Sequence, residues 1–388
     1  MFFIFALLAF FSIALPDAML GVAWPFMRVT FGQPLAAITW VLPFGVAATV
    51  VSTSCWTWAA ARLGLGRLLA SSVAVSALAL LCCAVAPAYW VIVACAVLFG
   101  LSAGAIDASL NSYAASHFGP RQINLMHAAY GLGAATSPLI VTLVVTTGAS
   151  WRWAYLTVLI IQGLLAVLFA ATSRRWSQAR TNAAAPVSTS ARPPERRRWP
   201  LPPRAVAGLL LAAVDCGLES VVGLWAFVFL LEEVNLRPSL AGAVVSGYWA
   251  ALVIGRVLLG SVAERVGTWP VLAAATVMAI SAAALVVTQQ PTATAAGVVL
   301  LGLAVAPIYP LLVLTTAERT RADQVDRLVG FQAAASTVGS VAFASLAGLA
   351  MGANLTSFAY CVLALALLTS GGIWALRPGR RPPTRSAP

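Results

Sequence analysis

Long apolar runs separated by short polar stretches dominate the chain. Twelve of them reach the roughly 20 residues that a membrane-spanning helix needs. They cover 2–27, 34–58, 68–87, 89–116, 124–147, 150–173, 204–231, 238–262, 269–288, 291–317, 327–349 and 353–376, and are called spans 1 to 12 below. None alternates apolar and polar residues over about 10 positions as a barrel strand would. The pattern therefore predicts an all-α integral membrane protein of twelve transmembrane helices. Residues 174–203 break it with Arg174-Arg175, Pro193-Pro194 and Arg196-Arg197-Arg198. This divides the chain into a six-helix bundle over 1–173, a cytoplasmic linker over 174–203, a second six-helix bundle over 204–376 and a cytoplasmic tail over 377–388.

Composition sharpens the picture. Of 388 residues, 61% are hydrophobic and 9% charged, far from the roughly 25% charged residues of an ordinary soluble domain. This excludes a soluble enzyme or a disordered chain. The net charge of +12 comes from 23 basic residues against 11 acidic ones, and every basic residue is arginine. With a cytoplasmic N-terminus, all but Arg28, Arg152 and Arg237 fall in or beside cytoplasmic connections. That asymmetry predicts a multi-pass protein of the cytoplasmic membrane with both termini cytoplasmic. It also accounts for the basic surplus without a nucleic-acid partner. Span 1 starts at Met1 without a basic flank, as a start slightly short of the natural one would. A signal peptide is not expected, because Asp17 interrupts the run and eleven spans follow. The six cysteines lie inside spans without disulfide or metal spacing, and neither a metal nor another cofactor is expected. Trp90, Trp151, Trp153, Trp176 and Trp269 lie near span ends, where an interfacial belt is expected.

Four carboxylates interrupt the spans: Asp17, Asp107, Asp215 and Glu219. An ionised carboxylate at the centre of a membrane helix costs about 2.5–3.5 kcal/mol even on the lenient insertion scale. These groups must face a cavity, find partners or carry protons. Asp17, Asp107 and Glu219 are the candidates for proton coupling. Asp107 and Asn111 share a face of span 4, and Asn124, His127 and Tyr130 share a face of span 5. Counted from the intervening loop at about 1.5 Å per residue, Asp107, His127 and Tyr130 reach depths of roughly 12–18 Å, so the two faces can meet. Span 7 adds Glu219 and Trp225, span 10 Tyr309, and span 11 Gln332. Hydrogen-bonding groups interleaved with aromatics suit a polyhydroxylated ligand. The candidate substrate-binding set is Asp107, Asn111, Asn124, His127, Tyr130, Glu219, Trp225, Tyr309 and Gln332. The competing structural reading of each is an interhelical hydrogen bond or a core aromatic.

The halves echo one another, with Asp17 before Trp24 and Glu219 before Trp225. The loop after span 8 runs from Gly260 through Glu264 and Arg265 to Gly267. Charge pairing and a tight glycine turn there are expected to lock helix ends together, with Arg256 upstream counted to the same latch. The loop after span 2 keeps Arg62, Gly64, Gly66 and Arg67 but has Ala61 at the acidic position, which predicts a weaker latch. The Gly260–Gly267 loop resembles the Gly-x-x-x-Asp/Glu-Arg-x-Gly signature of the major facilitator superfamily. Gly104 to Asn111, Asn124 to Gly133, Gly217 to Trp225, Trp249 to Arg256, Ala306 to Pro310 and Gly330 to Gln332 resemble the fucose:proton symporter family and its sodium-glucose relatives.

The resemblance implies the major facilitator fold, cation-coupled sugar transport, and coupling or sugar-binding roles for Asp17 and Asp107. The helix 4 acid is Asp107 where the fucose permease has Glu, and His127 stands where it has Gln. Expected partners are a small-molecule substrate, a co-transported cation (a proton before sodium) and the bilayer, for a monomeric protein. The resulting expectation is a symporter of a small polar solute, a sugar or related hydroxylated compound. The alternative is a proton-driven exporter of drugs or metabolites, since Gly133 to Pro138 partly matches an antiporter motif. A sensor or a membrane enzyme is poorly supported, with no sensing domain and no metal-ligand spacing.

Overall fold

The computed structural model describes residues 2–181 and 201–377; most of the predicted linker and tail lie outside them. The helices are α1 (Phe2–Thr30), α2 (Val41–Leu63), α3 (Leu65–Ala84), α4 (Tyr89–His117), α5 (Pro120–Thr146), α6 (Arg152–Thr181), α7 (Pro203–Val228), α8 (Pro238–Val266), α9 (Thr268–Val287), α10 (Pro291–Val305), α11 (Ile308–Leu314), α12 (Val325–Ala353) and α13 (Ser357–Leu376). Helices α10 and α11 together form span 10, interrupted at Ala306-Pro307. Twelve helical stretches among the described residues are long and apolar enough to cross a membrane. Helix α6 runs on to Thr181, so the linker's first two turns continue span 6.

Helices α1 to α6 pack mainly among themselves, through α3 on α6, α2 on α4 and α1 on α5. Helices α7 to α13 do likewise, through α12 on α7, α10 on α8, and α13 on α7 and α9. The molecule is thus two six-span bundles. Leu143, Leu164, Val167, Leu314 and Val338 are exposed on their outer surface, as expected where the solvent is lipid and backbone groups must be satisfied within each helix. Trp90 and Trp153 are exposed near span ends, whereas Trp151 is buried and donates to Thr30 Oγ1 at 3.0 Å. Trp151 is therefore a packing residue rather than part of an interfacial belt.

Each bundle turns its second span into its third through one glycine in a left-handed conformation. Gly64 has φ 77° and Gly267 has φ 92°, and each ends one helix and begins the next. Only glycine adopts such angles without a Cβ penalty. The expected glycine turn therefore forms in both bundles. Glu264 and Arg265 are exposed and have no ion-pair partner among the described residues, so the expected charge pairing of that loop is not formed.

The three arginines that run against the charge asymmetry include two with specific work. Arg152 donates to the carbonyls of Ala84 and Ala86 at 2.9 and 2.7 Å, closing the end of α3. Arg28 pairs with Glu232 across the two bundles at 2.8 Å. Arg319, at the opposite end, is buried with no carboxylate on it. It donates to the Leu312 carbonyl and to Thr316 Oγ1, and burial pushes it down to about 10.

Candidate functional site

The bundles meet mainly along α1 with α7, α5 with α8 and the turn Leu35–Trp40 with α12, with a smaller contact of α2 with α12. Between α1 and α7, Gly21 abuts the Leu224 carbonyl, Phe26 meets Phe227, and Arg28 meets Glu232. Between α5 and α8, Gly131 abuts Val253 and Gly242 abuts Thr142. The short turn Leu35–Trp40 sits on α12, where Gly348 faces Thr39 and Gly352 faces Ala36. All these contacts lie from mid-depth to the end away from the linker. The seam is closed there, and the cavity runs inside the first bundle from Phe10, Asp107, His127 and Arg256 on the linker side to Val41, Cys83, Ile92 and Tyr155 near the far ends of α2, α3, α4 and α6.

Register along the seam fixes what can face what. Helices α5 and α8 run antiparallel, and the Thr142–Gly242 and Gly131–Val253 contacts put His127 level with Arg256 and Val257. Helices α1 and α7 run parallel, and the Gly21–Leu224 and Arg28–Glu232 contacts put Asp17 level with Glu219. The direct contacts of α1 with α5 (His127 on Phe10, Gly133 on the Phe11 carbonyl, Ser137 on Leu15 O) put Asp17 and Glu219 at mid-seam and His127 with Arg256 about two turns nearer the linker. The long Tyr130 and Arg256 side chains reach up to Asp17 and Glu219.

The cavity has a volume of about 520 Å³, within the range of small-ligand sites. Asp17, Asp107, His127, Tyr130 and Thr49 line it from the first bundle, with Phe10, Leu20 and Phe99 as its apolar surface. Arg256 lines it from the second bundle. Tyr130 donates to Asp17 Oδ2 at 2.6 Å. Asp17 follows Pro16, which lacks an N–H and so frees the Ser12 carbonyl. Gln162 of α6 fills that vacancy, donating to Ser12 O at 2.8 Å, which fixes this turn of α1. Asn111 donates to Asp107 Oδ1 at 3.0 Å. His127 stands edge-on to Phe10 at 5.2 Å, within electrostatic reach of both Asp107 and Arg256. Arg256 donates through one nitrogen to both oxygens of Glu219, at 3.2 and 2.9 Å.

The other expected site residues lie elsewhere. Trp225 is fully buried and donates to the Ala344 carbonyl at 2.8 Å. Its counterpart Trp24 is equally buried and donates to Leu35 O at 2.8 Å. Both are core anchors that hold a helix to its neighbour. Six residues at about 100° each turn Trp225 well away from Glu219. Gln332 is buried and accepts from Thr316 at 2.8 Å. Tyr309 lies among Ser336, Cys216 and Asp215 inside the second bundle, and Asn124 is exposed outside the cavity lining. Asp215 is buried, and its Oδ1 has no hydrogen-bond partner among the described residues. Among the described residues, no three His, Cys, Asp or Glu side chains converge on a metal-sized point.

Arg256 is the chief correction. Assigned from sequence to the latch near Gly260–Gly267, it instead forms part of the cavity wall. It lies inside span 8, flanked by apolar residues, and that position was the available signal.

The sequence matches the family model of the Major Facilitator Superfamily over residues 6–231 and again over 207–388. A search of curated proteins finds no match. Solved structures share the fold. The nucleoside transporter NupG superposes with a TM-score of 0.73 at 14% identity, over 96% of this chain and 97% of that one. A bacterial homologue of the human lysosomal transporter Spinster, inward-facing and occupied, gives 0.74 at 13%, over 96% and 95%. A D-xylose–proton symporter gives 0.74 at 14%, over 97% of each.

Proposed function

We propose, from the premise that the chain belongs to the major facilitator superfamily, that it is a proton-coupled symporter of a small polar solute, a sugar or related hydroxylated compound. Family membership makes it a multi-pass membrane transporter rather than an enzyme. The observation that carries the finer reading is the cavity itself, lined by Asp17, Tyr130 and Asp107 from the first bundle and Arg256 from the second, with Asn111 and Glu219 outside the lining as the partners of Asp107 and Arg256. Carboxylates and amides meet solute hydroxyls, and Phe10 and Phe99 supply apolar faces for a ring. The fold is one that also serves a D-xylose–proton symporter and a nucleoside transporter.

Proton coupling rests on Asp17, Asp107 and Glu219. Asp17 and Asp107 have only neutral donors, so a proton can come and go without breaking an ion pair. Glu219 contributes as the resting partner of Arg256. Alternating access follows from rocking of the two bundles about the seam, with the linker end taken as cytoplasmic. Sodium coupling and an oligomer are not part of this reading.

Uptake of radiolabelled sugars and nucleosides into proteoliposomes under an imposed pH gradient tests it. Accumulation above equilibrium is expected, with its loss in Asp107→Asn. Unchanged uptake and pH dependence in that variant would remove Asp107 from coupling. The apolar lining by Phe10, Ile13, Leu20 and Phe99 supports one other reading, a proton-driven exporter of drugs or metabolites. Gradient-dependent dye efflux without sugar uptake would favour it.

A further inference from the structure

Arg256 is the only arginine among the described residues that lines the cavity, and it is only half engaged. A guanidinium offers five donors in a fork that matches a carboxylate edge to edge. Here a single nitrogen serves both Glu219 oxygens, and the buried Nε has no partner. The other groups around it are Asp215 and Cys216 on α7, Tyr248 on its own helix, and His127 on α5. Helices α9 and α10, which also pack on α8, contain no ionisable side chain.

Across the cavity, the acids differ in what meets them. Asp17 has a hydroxyl from another helix. Asp107 has only the amide of Asn111 on its own helix, and His127 is its charged-group neighbour. The helices packed on α4 bring few other ionisable groups: Cys55 and Arg62 on α2, Arg67, Cys82 and Cys83 on α3, Asp17 and Arg28 on α1, and Arg121 and Tyr130 on α5. Asp107 is exposed to the open cavity and has no ion-pair partner among the described residues, so its bare carboxylate becomes costly when the cavity closes and its water leaves. The register puts Arg256 level with His127, next to Asp107.

We propose that Arg256 is a mobile counter-charge that rests on Glu219 while Asp107 is protonated and crosses to Asp107 when that proton leaves. The transfer draws α8 toward α4 and α5 and closes the linker end of the empty carrier. A protonated carrier without solute lacks this pull and stays open, so protons do not cross alone. This inference rests on the symport reading and assigns Arg256 the step that reorients the empty protein.

Pulsed electron-spin distances between labels at Leu63 and Val266 test it. Both positions are exposed at the linker end, and Cys55→Ser removes the exposed native thiol. In the full chain the distance should shorten as pH rises. Asp107→Asn should stay long at every pH, and Arg256→Gln should lose the shortening. Arg256→Lys, which keeps the charge, should retain it and so guards against a folding defect. Glu219→Gln frees Arg256 from its competitor and should move the midpoint to lower pH, a direction no purely structural role predicts. Shortening that survives in Arg256→Gln with the same midpoint overturns the proposal, as does a wild-type distance that ignores pH. Sugar uptake driven by a pH gradient, measured on the same samples, separates the two readings. If uptake persists, only the Arg256 step falls; if it is absent, the symport reading falls with it.

Discussion

The two walls of the cavity meet their acids in opposite ways. On the first bundle, Asp17 and Asp107 receive neutral donors, the Tyr130 hydroxyl and the Asn111 amide. On the second, Glu219 receives one charged guanidinium nitrogen of Arg256. A carboxylate with a neutral donor can exchange a proton at modest cost, whereas one in an ion pair must first give up its cation. The chain's internal echo, Asp17 with Trp24 and Glu219 with Trp225, is thus kept in burial for the tryptophans, which donate to carbonyls in different places, Leu35 and Ala344, and is divergent in chemistry for the acids. One wall is suited to titrate and the other to hold charge in reserve.

The sharpest way to break this contrast is to remove the cation. Arg256→Gln leaves Glu219 unpaired, and a fully buried pair broken this way costs about 3–5 kcal/mol. Both side chains keep a fifth to a third of their exposure, so about 1–2 kcal/mol is expected after screening. The double variant Arg256→Gln with Glu219→Gln should recover most of it, as read by thermal unfolding in detergent. No recovery would show that the pair contributes through packing instead.

Comparable in size is the contact of α5 with α8 at mid-seam. A methyl at Gly131 would overlap Val253, and overpacking of this kind costs about 1–3 kcal/mol. Gly131→Ala should therefore loosen the seam and increase thiol labelling of a cysteine placed at its far end. Unchanged labelling would mean that α5 and α8 are not held at this point.

Tyr130→Phe and Trp225→Phe each remove one hydrogen bond, worth about 1 kcal/mol net. The first should reduce gradient-driven uptake with little loss of stability, because its partner Asp17 lines the cavity. The second should lower stability and leave substrate affinity alone. The reverse outcome would return Trp225 to the binding set.

The smallest effect belongs to Arg28 and Glu232. A partly exposed pair contributes about 1 kcal/mol or less. Each single alanine variant should modestly favour opening of the far end, and the charge-exchanged pair Arg28→Glu with Glu232→Arg should restore closure. Cysteine accessibility near Phe26 and Phe227 measures this.

The twelve spans and the glycine turns at Gly64 and Gly267 were legible in sequence, because each depends on local physics: the apolar length that crosses a bilayer, and backbone angles only glycine adopts. The proximity of Asp107 to His127 was legible too, since the two flank one short loop. Trp225, Gln332 and Tyr309 were misjudged for a different reason. A polar or aromatic residue on a span can point to a cavity or to a neighbouring helix, and only the rotational setting of that helix decides.

The amino-acid sequence alone determines that this protein spans a membrane twelve times, the split of its spans into two groups of six, and the presence of costly carboxylates within them. These follow from transfer energies that are summed residue by residue. Only the tertiary structure decided which of those carboxylates share one cavity, that Arg256 stands among them, and that Arg28 clasps Glu232 across the seam. Such pairings depend on the register between helices hundreds of residues apart in the chain, which no local pattern encodes.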